Sequence, residues 1–194
     1  TAFFFFFTIA TTQGEIVYRN HLFELIHYAP RTDRQYAVPL LIIPPWINKY
    51  YIFDLSPSNS FVKWMLEQGH NVFIMSWVNP QKHQASLSYE EYLLEGAYRA
   101  CEVVSSLTKS PVLNTMGYCV GGNLLTGLSA YLARSPAPFS LQSMTLLATI
   151  FDFEKIGDLK VFMEDPLLNQ IEETMAQQGF LEGESMKSIF SLLR

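Results

Sequence analysis

A chain of 194 residues with a net charge of −5 is one domain or part of one, and it has no basic footprint for nucleic acid. With 49% hydrophobic and 16% charged residues it holds enough apolar material for a sizeable core, which excludes a disordered chain. Two cysteines without C-x-x-C spacing make neither a disulfide framework nor a zinc site, and no apolar run reaches the ~18–20 residues of a membrane span.

The chain opens on a phenylalanine run, Phe3 to Phe7, without the basic start of a signal peptide. Residues 1–10 are given no function. Glu15 to Tyr18 and Leu22 to Tyr28 read as two strands around an Arg19-Asn20-His21 turn. Leu40 to Ile43 is a short apolar run, the mark of a strand buried on both faces. Pro44-Pro45 ends it, since proline cannot continue a ladder. Trp46 to Leu55 reads as a long aromatic-rich loop.

Ser56 to Ser60 start a helix over Phe61 to Gln68, closed by Gly69. Val72 to Trp77 is a second buried strand, stopped by Asn79-Pro80. Ser88 to Leu107 reads as a long helix with Glu90 and Glu91 in its first turn. Val112 to Met116 is a strand, the helix after Gly122 runs to about Arg134, and Met144 to Ala148 is one more buried strand. This alternation predicts an α/β fold: a mostly parallel sheet with helices on both faces and an antiparallel hairpin in front.

Between the Val112–Met116 strand and the helix after it stands Gly117-Tyr118-Cys119-Val120-Gly121-Gly122. The G-x-C-x-G pattern is the nucleophile elbow of an α/β-hydrolase, with cysteine in place of serine. A residue on so tight a turn takes a strained backbone, and its neighbours two positions away crowd the adjoining strand and helix. Glycine at 117 and 121 removes the Cβ atoms that would collide. The N-terminus of the following helix favours the thiolate, the reactive form. The alternative is a small buried cysteine, which is the reading for Cys101 in mid-helix.

The chain is expected to divide into an α/β-hydrolase core over 11–151 and the beginning of a helical cap over 152–194. In the latter, Leu159, Phe162, Met163 and Leu167, Leu168, Ile171, Met175 form apolar stripes at helical spacing.

Beyond its elbow the chain resembles the polyhydroxyalkanoate synthases, the bacterial polyester polymerases. The stretches that carry this are Gly14 to Asn20, Leu22 to Ile26, Pro44 to Tyr51, Gly69 to Phe73, Ser76 to Pro80 and Gly117 to Gly122. Tyr118 and Val120 look like the flanks of the class I enzymes. The resemblance implies a 3-hydroxyacyl coenzyme A substrate and a growing polyester chain, with no cofactor. It also implies a homodimer, and a cytoplasmic location at the polymer granule surface. Cys119 becomes the nucleophile. The N–H of Val120 supplies one oxyanion donor, and that of Ile47, with Trp46 second, the other.

The family's triad continues with an aspartate and then a histidine, but no histidine follows Cys119 here. The sequence therefore reads as a fragment, inactive alone. His83 precedes the nucleophile, against the usual chain order, and Asp152 lies where some related hydrolases place their acid. His70 falls at the wrong end of the sheet, His21 and His27 belong to the front hairpin, and Asp54 organises its loop. Two other readings compete: a cysteine hydrolase of dienelactone type, and a non-catalytic truncated product bound to granules.

Overall fold

The computed structural model describes residues 9–152, 154, 165–181 and 183. Its main sheet has six strands: β1 (Gly14–Arg19), β2 (Phe23–Tyr28), β3 (Leu40–Ile43), β6 (Val72–Trp77), β7 (Val112–Tyr118) and β8 (Ser140–Leu147). Their order is β1-β2-β6-β3-β7-β8. The last four run parallel, and the β1–β2 hairpin joins antiparallel through β6. This is the expected α/β architecture with its hairpin in front.

Why these residues fold this way is plainest at β3. All four residues of Leu40–Ile43 are buried, Leu41, Ile42 and Ile43 completely. Each such side chain contributes about 1.5–3 kcal/mol over leaving it in water. On one face, Ile42, Ile74 and Met116 pack with Val62 and Leu66 of α1 (Phe61–Glu67). Ser60 caps that helix through its Oγ, which accepts the Lys63 N–H at 3.0 Å. On the other face lies a helical run made of α2 (Tyr89–Glu91), a π-helical stretch Tyr92–Tyr98, and α3 (Arg99–Thr108). α4 (Val120–Leu132) follows β7 directly.

The aromatic segment after Pro45 is not all loop. Tyr50–Phe53 winds into a 3₁₀ turn, and β4 (Asp54–Ser56) with β5 (Asn59–Ser60) makes a small hairpin. Asp54 is fully buried and takes two hydrogen bonds from Thr12, N–H at 2.9 Å and Oγ1–H at 2.8 Å. It organises its loop, as its position suggests.

The apolar run Met144 to Ala148 predicts a buried strand, and here the structure differs. β8 begins earlier, at Ser140, and most of it is exposed, Met144 by 38% and Leu147 by 37%. Among the described residues it is the terminal strand of the order and pairs with β7 alone. An apolar run buries its side chains only where a neighbour covers them.

The described residues form two compact units: 9–78 with 90–149, and 79–89 with those from 150 onward. In the second, α5 (Asp165–Gln178) half-buries Leu168 and Ile171 and exposes Met175. Gly179, with φ of +87°, ends it beside Lys82. Leu159, Phe162 and Met163 lie outside the described residues. Among the described residues no helix is long and apolar enough to cross a membrane.

Candidate active site

β7 delivers the chain to Cys119 at the carboxyl end of the parallel strands, where ligands of open α/β sheets collect. Cys119 has φ of 53° and ψ of −122°, a conformation L-residues rarely adopt. Three contacts hold it there. Its N–H donates to the Leu147 carbonyl at 2.9 Å, and its own carbonyl accepts from Gly122 at 2.9 Å and Asn123 at 3.3 Å. The turn is bolted to β8 on one side and to α4 on the other. The Cys119 side chain is half-buried.

The glycines around it are compelled by contact. A Cβ on Gly117 would stand 2.5 Å from the Gly122 Cα, and one on Gly121 would stand 2.2 Å from the Ile43 carbonyl oxygen. Both obstacles are backbone. Gly122 is a third such position: its Cβ would meet the Thr149 Oγ1 at 2.0 Å. Sequence reasoning passed over Gly122, although the doubled glycine was visible.

Val120 is the first residue of α4, so its N–H has no carbonyl one turn back to receive it. Ile47 lies in the loop leaving β3. That loop starts against the elbow, since the Gly121 Cβ position is 2.9 Å from the Pro44 carbonyl carbon. β3 and β7 are adjacent, with Ile43 opposite Gly117. The structure thus brings Cys119, Val120 and the start of the Pro44–Ile47 loop to the ends of two neighbouring strands.

Of the other titratable candidates, those of the first unit are placed elsewhere. His70 precedes β6 at the amino end of the parallel strands, its ring against Tyr36 at 5.0 Å. His27 stacks on Phe73 at 4.3 Å and pairs with Asn71 at 2.8 Å, also near that end. His21 sits at the β1–β2 turn, with β6 and β3 between its hairpin and β7. Three strand spacings amount to about 14 Å, beyond proton-transfer reach. His83 lies exposed in the turn Lys82–Gln84, and Asp152 is exposed and accepts the Glu154 N–H at 3.0 Å; both belong to the second unit. Cys101 is completely buried, and burial pushes its thiol up to about 12. Among the described residues no three His, Cys, Asp or Glu gather as a metal site.

The aromatic loop is divided in use. Phe53 packs against Tyr118 at 5.6 Å and joins the core. Trp46 turns to Trp77 at 5.9 Å and Tyr92 at 4.8 Å. In the sequence Trp77 is the end of a strand and part of the Ser76–Pro80 resemblance, without a role of its own. A buried indole N–H demands a partner, and that was the available signal.

Residues 1–65 match the family described as Poly-beta-hydroxybutyrate polymerase (PhaC) N-terminus. The whole chain is 44% identical to the Poly(3-hydroxyalkanoate) polymerase of Methylorubrum extorquens, covering 32% of that protein. Over its whole length the chain is similar to poly(3-hydroxyalkanoate) polymerases. A second polymerase of that name, from Rhizobium meliloti, is 41% identical over 96% of this chain and 30% of its own length. The chain therefore spans about a third of the polymerases it matches. A solved structure, a putative hydrolase from Agrobacterium vitis, superposes with a TM-score of 0.51 at 17% identity, over 88% of this chain and 62% of that one. That likeness is one of fold alone.

Proposed function

We propose that this segment carries the nucleophile of a polyester polymerase, and that Cys119 accepts 3-hydroxyacyl groups from coenzyme A thioesters. One observation supports it above others: a cysteine held at φ 53° between crowded glycines, in a chain similar to poly(3-hydroxyalkanoate) polymerases.

In this reading the Cys119 sulfur attacks the thioester carbonyl and gives up its proton to a general base. The carbonyl oxygen becomes an oxyanion held by the Val120 and Ile47 N–H groups, each worth about 10²–10³ in rate. The carbon–sulfur bond to coenzyme A then breaks, and coenzyme A leaves as its thiol. One thioester has replaced another, so the acyl group stays activated. A serine would form an ordinary ester and lose that drive. The 3-hydroxyl of another unit next attacks the acyl-cysteine, loses its proton to the same base, and lengthens the chain.

The base and its aspartate are proposed to lie outside these 194 residues, as no histidine follows Cys119. Residues 152–194 are proposed to begin a cap that keeps water from the acyl-enzyme. A homodimer at the granule surface in the cytoplasm completes the proposal, which involves no cofactor.

The test is coenzyme A release from 3-hydroxybutyryl coenzyme A by the full-length protein, followed with a thiol reagent. Release should vanish in Cys119→Ala. Wild-type release in that variant would remove Cys119 from the mechanism. Failure of the intact protein to release coenzyme A would favour a non-catalytic product.

A further inference from the structure

The Pro44–Ile47 loop has an unusual anchoring problem. Pro44 and Pro45 have no N–H groups, so the loop cannot tie itself down through its own donors there. At those two residues only a carbonyl can be bonded. The Trp77 Nε1–H donates to the Pro44 oxygen at 2.7 Å, in a buried bond. The same indole meets the Trp46 ring edge-on at 90° and lies 5.5 Å from Tyr92.

Room for that indole is made by Gly96 in the π-helical stretch. A Cβ there would stand 2.7 Å and 2.9 Å from two carbons of the Trp77 ring. The Pro44 carbonyl thus accepts the indole N–H, and its carbon lies 2.9 Å from where a Gly121 Cβ would stand. Ile47 is three residues further on.

We infer that Trp77 is a positioning residue, whose buried Nε1–H holds the Pro44 carbonyl and thereby sets the place of the Ile47 N–H beside Cys119. The inference rests on the oxyanion role proposed above for Ile47. Trp77 touches no reacting atom. It fixes a backbone donor that must be met to within a fraction of an ångström, and a misplacement of about 1 Å costs about 10²-fold in rate.

The experiment uses the full-length protein with two changes at this position: Trp77→Phe, and replacement of Trp77 by benzothienylalanine, which keeps the fused ring and deletes only the N–H. Three readings are taken: kcat and KM for coenzyme A release, the rate of Cys119 alkylation by iodoacetamide, and amide hydrogen exchange by segment. In both variants kcat should fall by up to about 10²-fold at unchanged KM. Alkylation needs no oxyanion donor and should not change. Exchange should quicken at residues 46–48 while α4 keeps its protection. Unchanged kcat in the benzothienyl variant overturns the inference. So does a loss that extends to alkylation and to exchange throughout the molecule, since that is a purely structural role. Should the unaltered protein release no coenzyme A, the functional reading falls by itself. Exchange at 46–48 then still decides whether Trp77 holds the loop: faster exchange shows that it does, and unchanged exchange that it does not.

Discussion

Cys101 and Cys119 carry the same thiol in opposite surroundings. Cys101 is sealed in the helical run on one face of the sheet, while Cys119 is half-buried at a strand end. Iodoacetamide at neutral pH should therefore label Cys119 and spare Cys101, which peptide mass mapping would show; label on both would contradict the packing. The Cys101 shift also gives folding a pH dependence. An unfolded thiol ionises near 9.0, whereas the folded one keeps its proton to about 12. Between those values the unfolded chain binds fewer protons, so stability falls as pH rises and is unaffected below the lower value. Cys101→Ala should flatten this alkaline decline in denaturant titrations. Gly121→Ala drives a Cβ into the Ile43 carbonyl at 2.2 Å, and we expect a loss of a few kcal/mol in the same titrations. At this scale the sequence was easiest to read where a motif imposes a geometry. The elbow pattern could be read from glycine spacing alone. The Trp77–Pro44 bond joins residues 33 apart in the chain, and no local pattern encodes it.

Among elements, strands buried on both faces were legible because four or five apolar residues in a row have few other fates. β8 shows the limit, since its apolar run records what the strand can bury and not what stands next to it. The π-helical stretch Tyr92–Tyr98 was invisible for a related reason. A wide turn is chosen by what it must accommodate, here the Trp77 ring on Gly96. Gly96→Ala should shift the ring and lower the melting temperature of the protein. An unchanged melting temperature would show that the contact gives way without cost. The 3₁₀ turn Tyr50–Phe53 depends on Asp54, whose two Thr12 bonds cross 42 residues. Thr12→Val removes the hydroxyl and leaves a buried carboxylate oxygen short of a donor. A destabilisation of about 1–3 kcal/mol is expected from chemical denaturation. A neutral result would place water on that oxygen.

At the level of the molecule, the parallel order β6-β3-β7-β8 gathers the ends of β3 and β7 into one place. The outer edge of β8 has no partner strand among the described residues, and such edges invite pairing with other chains. The 194-residue chain produced alone should self-associate with rising concentration in light scattering, and Met144→Lys should reduce this by placing charge on the strand. The left-handed torsion at residue 119 has a wider consequence. The rest of the molecule sustains a conformation there that costs of order 1–3 kcal/mol, and only glycine would adopt it freely. Cys119→Gly should therefore raise the melting temperature while removing the proposed site of acylation. If Cys119 is the nucleophile proposed above, this position gives up stability for chemistry.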